Sequence, residues 1–328
     1  MRCLVFVFLF FLAVKASGQQ QAYLSDEAAN KWADSVLNTL SNDERIAQLM
    51  IVRLSSIDLK TRQVTFYDEK VNNLVKQYNI GGICLFQGGP AKQAGMLNAL
   101  QKTAKTPILI SMDAEWGVGM RILDSVLALP KQMMLGAIKD ESIIYKYGQV
   151  VAKQCKRMGI HVNYAPVVDI NNNPNNPVIN DRSFGEDKYK VARFGIQYMK
   201  GMQDMGVMAC AKHFPGHGDV GVDSHYDLPV INKTKEQLDS LELYPFRQIF
   251  DAGIGSAMIA HLFIPAIDNR PNRATSLSKA NVTDLLRHEL NFQGLTFTDA
   301  LEMQGVKKYF PNSESSVESL IAGNDMLC

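Results

Sequence analysis

The sequence predicts an α/β fold in which eight parallel strands and their intervening helices form a (β/α)8 barrel of the TIM type. Three observations lead to this prediction. The 328 residues are 46% hydrophobic, which is enough for one large core. Short apolar runs alternate with longer amphipathic stretches, as buried parallel strands alternate with helices. Polar residues recur at the carboxyl ends of those runs, where barrel enzymes carry their sites.

Eight apolar runs are the predicted barrel strands. They occupy residues 49–54, 80–86, 107–113, 161–169, 207–214, 256–263, 295–300 and 325–328. An open, doubly wound sheet is the alternative, but no G-x-G-x-x-G fingerprint follows the first run. Because the last run ends the sequence at Cys328, we expect a barrel truncated at its eighth strand, with one or more further domains beyond it.

Helix signals occupy the intervals between the strands. A first helix is predicted to begin at Ser25 or Asp26, with apolar residues on one face: Ala29, Trp32, Ala33, Val36, Leu37 and Leu40. Ser41 and Glu44 then fit a capping box for a second helix. Ser278 is the expected cap of a later helix whose apolar residues have helical spacing: Val282, Leu285, Leu286 and Leu290.

The first 18 residues have the composition of a secretory signal peptide. Arg2 precedes an apolar stretch over residues 3–14, and Ala16-Ser17-Gly18 is a cleavage site of small residues. The stretch is short for a membrane span, and a buried N-terminal helix is the alternative. We therefore expect an exported protein, periplasmic or secreted, with no membrane anchor after cleavage and a barrel domain over residues 19–328.

Charge and cysteine content exclude several classes of partner. Lys and Arg total 34 against 33 Asp and Glu, so the chain lacks the basic excess typical of proteins that bind nucleic acid or anionic lipid. The cysteines that remain after cleavage are widely spaced and form no C-x-x-C pair: Cys84, Cys155, Cys210 and Cys328. Free buried thiols are therefore expected, not a disulfide framework or a zinc site. We expect a small or neutral partner and no cofactor.

One loop-like stretch, KHFPGHGDVGVDSHYD at residues 212–227, holds three of the six histidines and three aspartates. A zinc site is one interpretation, with ligands drawn from His213, His217, Asp219 and His225. The proline and glycines between the first two histidines break any helix, so these two cannot share a helical face. A merely solvated loop is a second interpretation.

Acid–base catalysis is the third interpretation of this stretch, and the one we favour. Asp223 and His225 are two residues apart, so their side chains point the same way in an extended loop. A carboxylate beside an imidazole fixes its tautomer and suits proton transfer near neutral pH.

Ionisable residues end several predicted strands. They are Asp113 and Glu115, Asp169, Lys212 and His213, His261, and Asp299. Asp299 stands where a barrel enzyme carries a nucleophile, and a helix N-cap is the alternative. Asp113, Glu115 and Arg121 are candidates to hold sugar hydroxyls, with a structural ion pair as the alternative. Arg182 is either a substrate clamp or the cation of a loop salt bridge.

The stretch at residues 212–225 resembles the signature K-H-[FY]-P-G-[HQ]-G, four residues, D-[ST]-H of bacterial β-N-acetylglucosaminidases in glycoside hydrolase family 3. The blocks DAEWGVGMR, NDRSFGED, ATSLS and FTDALEM occur in the family's order, and the resemblance runs from about residue 40 onward. It implies a retaining enzyme of peptidoglycan turnover. Such an enzyme removes terminal β-linked N-acetylglucosamine from muropeptides or related glycans.

The resemblance also implies roles for single residues. Asp299 matches the family's nucleophile, and His225 matches its general acid/base, with Asp223 as the partner of that dyad. Five residues match those that hold N-acetylglucosamine in the −1 subsite: Asp113, Arg121, Arg182, Lys212 and His213. His217 and Asp219 receive no role beyond hydrogen bonds within the loop.

Three alternatives to this function stay open. A β-glucosidase of the wider family usually has Trp after the nucleophile, whereas Ala300 stands here. A non-catalytic sugar-binding barrel would be marked by loss of Asp299 or His225, and both are present. Phosphorolysis is the third, since a histidine acid/base does not repel phosphate as a carboxylate would. Trp116, where many relatives have glycine, leaves the aglycone preference open.

Overall fold

The computed structural model describes residues 27–311 and 313–328, so the predicted signal peptide lies outside the described residues. Its strands are β1 (Ile51–Arg53), β2 (Ser55–Ile57), β3 (Val64–Phe66), β4 (Gly82–Leu85), β5 (Leu109–Met112), β6 (Val162–Asn163), β7 (Met208–Phe214), β8 (Ser256–Ile259) and β9 (Leu295–Thr298). Seven of them form one parallel sheet in the order β1-β4-β5-β6-β7-β8-β9.

The two edges of this sheet are joined by residues 326 and 327. Leu327 pairs in parallel with Met50, and Met326 pairs in parallel with Phe297. The amide of Ile51 donates to the Leu327 carbonyl at 2.8 Å, and the amide of Thr298 donates to the Met326 carbonyl at 3.0 Å. All eight predicted strands therefore lie in the ring, the eighth as this short bridging segment.

A short hairpin outside the ring was not predicted. Strands β2 and β3 pair antiparallel, with Ser56 opposite Thr65, and a turn stabilised by Asp58 joins them. The Asp58 carboxylate accepts the amides of Lys60 and Thr61, each at 2.8 Å. Strands of three residues that are only partly buried carry too little alternation to be separated from a loop by sequence.

Two helices precede β1, and the others alternate with the strands along the chain. They are α1 (Glu27–Leu37), α2 (Asn42–Ala47), α3 (Asp68–Tyr78), α4 (Pro90–Thr103), α5 (Gln132–Gly136), α6 (Glu141–Arg157), α7 (Lys188–Gln203), α8 (Lys235–Ser240), α9 (Leu243–Asp251), a π-helix (Ala280–Glu289), α10 (Gln304–Lys307) and α11 (Glu314–Ala322). Short 3-10 turns span Val118–Met120, Asn180–Arg182 and Thr275–Leu277. Within the described ranges, no helix is long and apolar enough to cross a membrane.

The predicted helix starts are confirmed in two places. At α2 the Glu44 amide donates to Ser41 Oγ at 3.2 Å and the Ser41 amide donates to Glu44 Oε2 at 2.8 Å, which completes the capping box. The Asn281 amide donates to Ser278 Oγ at 3.3 Å at the start of the π-helix. The predicted apolar face of the first helix is different, because no residue of α1 is buried and Trp32 is 55% exposed. Of that face, Leu40, beyond the end of α1, is buried.

The core has an inner and an outer layer. Apolar side chains fill the ring itself, namely Ile51, Cys84, Val162, Tyr164, Cys210, Met258, Phe297 and Met326. A larger layer packs between the strands and the helices. Cys84, Cys155 and Cys210 are buried free thiols, as predicted, and Cys328 is free and partly buried. Burial raises the pKa of Cys84 to about 12, which keeps this thiol protonated and inert.

Candidate active site

The polar residues at the strand ends meet at one end of the ring. Asp113 follows β5, Lys212 and His213 lie near the carboxyl end of β7, and Asp299 follows β9. A cleft of about 970 Å³ reaches both Asp113 and Asp299. The carboxyl ends of parallel strands share one edge in a barrel, so residues distant in sequence become neighbours there.

Lys212 is the centre of a buried charge network. Its side chain is 1% exposed, and its Nζ lies 2.7 Å from Asp113 Oδ1 and 2.8 Å from Glu115 Oε1. The second oxygen of Asp113 accepts Arg121 Nη2 at 2.7 Å. Burial opposes a charge on Asp113, but Lys212 and Arg121 outweigh it and lower the pKa of this carboxyl to about 2. Asp113 is therefore ionised at neutral pH and faces the cleft.

Glu115 and Arg182 form a two-point ion pair beside this network. Arg182 donates through Nη2 to Glu115 Oε1 at 2.7 Å and through Nε to Oε2 at 3.0 Å. Burial opposes the charge on Glu115, but Arg182 and Lys212 lower its pKa well below the ordinary value. The salt bridge that was one expectation for Arg182 is thus present. Its role as a substrate clamp stays a prediction.

His213 is held in place by a buried carboxylate, Asp169. His213 Nδ1 lies 2.7 Å from Asp169 Oδ2, and the amides of His213 and His217 donate to the same carboxylate at 3.1 and 2.7 Å. Since Asp169 accepts the Nδ1 proton, the neutral ring leaves Nε2 unprotonated, 3.3 Å from Arg182 Nη2. Sequence reasoning placed Asp169 at a strand end but gave it no role.

His217 and Asp219 do not make the expected hydrogen bonds within the loop. Asp219 Oδ2 instead pairs with Lys233 Nζ at 2.8 Å, beyond the loop. His217 is buried, and neither ring nitrogen has a hydrogen-bond partner among the described residues. Its ring centroid lies 5.7 Å from that of His213. Burial lowers the pKa of His217 to about 4, so the ring is neutral at pH 7.

The candidate zinc ligands do not converge on a common point among the described residues. His213 contacts Asp169, Asp219 contacts Lys233, and His225 contacts a different carboxylate, described below. Over residues 27–311 and 313–328, no three His, Cys, Asp or Glu side chains are arranged to hold a metal ion.

Asp299 directly follows β9 at the cleft. Its amide donates to the Ile259 carbonyl at 2.9 Å, and its Oδ1 accepts the Ala300 amide at 2.8 Å. The helix N-cap alternative is wrong, because the next helix, α10, begins only at Gln304. Burial opposes the charge on Asp299, but His261, His213 and the hydrogen bond from the Ala300 amide together lower the pKa of the carboxyl. Asp299 is therefore ionised at neutral pH.

His261 is fixed beneath the segment that follows Asp299. Its side chain is fully buried, with Nδ1 2.7 Å from Ser276 Oγ and Nε2 3.1 Å from the Ala300 carbonyl. A carbonyl oxygen can only accept a hydrogen bond, so the neutral ring carries its proton on Nε2. Nδ1 is then unprotonated and accepts a hydrogen bond from the Ser276 hydroxyl. Burial lowers the pKa of His261, which keeps the ring neutral.

The structure brings His225 and Asp223 into contact at the rim. His225 Nδ1 lies 2.7 Å from Asp223 Oδ1, and the His225 amide donates to the same oxygen at 2.9 Å. The backbone here is a tight turn, not the extended loop expected, because the amides of Tyr226 and Asp227 both donate to the Asp223 carbonyl. The His225 side chain is 58% exposed, so its Nε2 is accessible to a bound molecule.

Comparison with known proteins gives matches along most of the chain. A family model described as glycosyl hydrolase family 3 N terminal domain matches residues 41–328. The β-hexosaminidase A of Pseudoalteromonas piscicida is 36% identical over 285 residues, which cover 80% of this chain and 48% of that protein. The chain thus spans about half the length of this relative.

Two solved structures are similar in fold and sequence. A glycoside hydrolase family 3 β-N-acetylglucosaminidase from Paenibacillus sp. str. FPU-7 matches with a TM-score of 0.81 and 36% identity, over 88% of this chain and 55% of that one. A β-glucoside phosphorylase bound to 2FGlc matches with a TM-score of 0.84 and 26% identity, over 93% of this chain and 55% of that one.

Proposed function

The chain belongs to the glycosyl hydrolase family 3 N-terminal domain family, and on that premise we propose that it is a retaining exo-β-N-acetylglucosaminidase. One observation carries the proposal. An ionised carboxylate at a strand end, Asp299, begins the segment that the turn of His225 contacts, and this exposed imidazole is bound to the Asp223 carboxylate. The relatives named β-hexosaminidase and β-N-acetylglucosaminidase support the choice of amino sugar.

In the first step, Asp299 attacks the anomeric carbon of the terminal sugar and forms a covalent glycosyl ester. The bond to the aglycone breaks, and its electron pair remains on the departing oxygen. Protonated His225 gives its Nε2 proton to that oxygen, while its Nδ1 proton stays on the ring and donates to the Asp223 carboxylate. The carboxylate partner stabilises the imidazolium before transfer and holds the ring in one orientation.

In the second step, neutral His225 takes a proton from water at Nε2. The resulting hydroxide attacks the anomeric carbon and displaces the Asp299 carboxylate, so the sugar leaves with its original configuration. One imidazole thus serves both steps, first as acid and then as base. The usual glycosidase assigns both tasks to a second carboxylate.

Sugar binding is assigned to the charged residues around Lys212. Asp113 lines the cleft as an ionised acceptor, and the cations of Lys212 and Arg121 hold its two oxygens in fixed positions. Such an acceptor suits a pair of sugar hydroxyls. Arg182 and His213 complete the proposed −1 subsite, with Arg182 fixed by Glu115 and His213 fixed by Asp169.

The test is release of nitrophenol from an aryl β-N-acetylglucosaminide by the full-length protein, with the matching β-glucoside alongside. Asp299→Asn is expected to lower kcat by at least about a thousandfold. His225→Ala is expected to lower it by about 10²- to 10⁴-fold. His288→Ala, which changes an exposed histidine on the π-helix, is the control. Undiminished activity in Asp299→Asn would sink the mechanism.

Phosphorolysis is a second candidate, since one structural neighbour is a β-glucoside phosphorylase. A neutral histidine carries no charge that would repel an anionic nucleophile beside Asp299, whereas a carboxylate base would repel it. Turnover that depends on inorganic phosphate and yields a sugar 1-phosphate would establish this reaction. Free sugar formed at the same rate without phosphate would establish hydrolysis.

The natural substrate and the site of action follow from the resemblance and the leader sequence. We propose that the substrates are cell-wall muropeptides or related amino-sugar glycans, and that the protein is exported before it acts. Incubation with purified muropeptides and detection of released N-acetylglucosamine tests the first point. N-terminal sequencing of the mature protein from its native host tests the second, and the expected first residue is Gln19.

A further inference from the structure

The turn that carries His225 rests on the segment that follows Asp299. The Gly305 amide donates to the Ser224 carbonyl at 3.0 Å. A Cβ added at Gly305 would lie 2.9 Å from the Ser224 carbonyl oxygen and 3.1 Å from that of Asp227. Both are backbone atoms, so the two segments approach this closely only because residue 305 has no side chain.

A charged contact holds the same two segments together at the end of the turn. Lys308 Nζ lies 3.1 and 3.0 Å from the two carboxylate oxygens of Asp227. The Tyr309 hydroxyl donates to Asp227 Oδ1 at 3.1 Å. The Leu228 amide also donates to Oδ1, at 2.9 Å. Four donor contacts on one carboxylate fix its position more narrowly than a single exposed ion pair would.

Within the turn, Ser224 is buried and its Oγ contacts Met303 Sδ of the supporting segment at 3.9 Å, whereas the two residues that follow are exposed. The His225 side chain is 58% exposed and Tyr226 is 79% exposed. The supporting segment is anchored to the barrel, because the Leu301 amide donates to the Cys328 carbonyl at 3.0 Å and the Ala300 carbonyl contacts His261. The turn is thus docked on the stretch of chain that begins with Asp299.

We propose that four residues form a latch, namely Gly305, Asp227, Lys308 and Tyr309. The latch positions His225 for proton transfer to the oxygen of the glycosidic bond that breaks when Asp299 attacks the anomeric carbon. The inference rests on the proposed function. These four are positioning residues: they set where the acid/base stands and do not touch the reacting atoms. The latch explains how an exposed histidine keeps a defined position without burial.

Leaving-group dependence separates positioning of the acid from general damage. A phenyl glycoside requires protonation of its departing oxygen, whereas a dinitrophenyl glycoside departs as a stable anion. For Lys308→Met and Gly305→Ala, kcat/KM on the phenyl β-N-acetylglucosaminide is expected to fall about tenfold or more. On the dinitrophenyl substrate it is expected to stay within about twofold of the parent value, because Asp299 and the sugar site are unchanged.

Two further variants sharpen the test. Lys308→Arg preserves a two-point contact with Asp227 and is expected to restore the phenyl rate. Lys105→Met is the matched control, because Lys105 is as exposed as Lys308 and contacts both oxygens of Glu44 at 2.9 and 3.0 Å. It is expected to leave both substrates at the parent rate.

Hydrogen exchange provides a readout that does not depend on activity. In Lys308→Met, amide exchange over residues 221–230 and at Gly305 is expected to accelerate, with the barrel strands unchanged. Unchanged exchange there overturns the latch whatever the enzyme assays give. Equal losses on the phenyl and dinitrophenyl substrates, or a Lys308→Met variant that behaves like Lys105→Met, also overturn it. A parent protein inactive on both substrates refutes the proposed function instead, and is recognised before any variant is compared.

Discussion

His213 contacts Asp169 through two of its own groups, since ring Nδ1 lies 2.7 Å and the backbone amide 3.1 Å from Asp169 Oδ2. The carboxylate therefore fixes both the backbone at the end of β7 and the ring above it. The His217 amide is a third donor to this carboxylate. All three groups donate hydrogen bonds, so residue 169 must supply acceptor oxygens to each of them. An asparagine offers one acceptor oxygen and turns a donor toward the remaining contacts.

We expect Asp169→Asn to lower kcat/KM roughly a hundredfold, because the His213 ring loses its fixed orientation beside the sugar site. Steady-state kinetics on the aryl β-N-acetylglucosaminide measures this. Asp239→Asn, which alters a carboxylate paired with Arg247 at the surface, is the control. Equal activity in the two variants would show that Asp169 does not position His213 for function.

Removal of Lys212 leaves two carboxylates without their shared cation. We expect Lys212→Met to destabilise the fold by about 3–5 kcal/mol at neutral pH, as when one partner of a buried ion pair is removed. Lys131→Met, which breaks a contact with the exposed Asp181, is expected to cost about 1 kcal/mol or less. Urea unfolding of both variants measures the difference.

The loss of stability in Lys212→Met is expected to depend on pH. Asp113 has a lowered pKa of about 2 in the folded protein against an ordinary 3.8, so its stabilisation is complete above the ordinary value and is lost as pH falls toward 2. The deficit of Lys212→Met is therefore expected to shrink between about pH 5 and pH 2 as the carboxyls are protonated. A deficit constant over that range would contradict the charge network as its source.

His217 should make stability fall as the solution is acidified below neutrality. Its pKa is lowered from 6.5 to about 4 in the folded state, so between these values only the unfolded chain binds the proton. Stability is expected to decline from pH 6.5 to pH 4 by roughly 3 kcal/mol through this group. His217→Gln should take up one proton fewer on unfolding in that range. His288→Gln, at an exposed site, should not change the slope.

Gly218 is expected to tolerate no side chain. A Cβ there would lie 1.7 Å from the Ile170 carbonyl oxygen, so the backbone of one segment would have to move. We expect Gly218→Ala to destabilise the protein by about 3 kcal/mol. Gly221→Ala is the matched control in the same loop, because no heavy atom lies within 4 Å of its added Cβ. Thermal unfolding of the two variants is the measurement, and equal midpoints would contradict the close packing.

The barrel could be predicted because its strands are continuous apolar runs, and burial on both faces imposes that composition. The β2–β3 hairpin could not, since its strands are short and partly exposed. The helical spacing of apolar residues predicted a helix where α1 lies, but this spacing does not specify which part of the protein covers the apolar face. In the structure, no residue of α1 is buried and Val36 is partly buried.

Single site residues could be predicted from their places at strand ends, but their pairings could not. Lys212 and Asp113 are 99 residues apart, and the order of the sheet, with β5 and β7 on either side of β6, brings them into contact. Asp169 carries no local signal beyond its position, because an aspartate after an apolar run is equally typical of a turn. Asp223 and His225 were paired correctly because their separation in sequence is small, although the turn between them was not expected.

The pairing of Met50 with Leu327 joins segments that are separated by nearly the whole described chain. Such a contact closes a very long loop, so the entropy of that loop must be lost before the ring is complete. During synthesis, β1 and β9 each present an unpaired edge until residues 326 and 327 have emerged. Unpaired edges are sites where chains associate, so the period before closure is when this protein is most prone to aggregate.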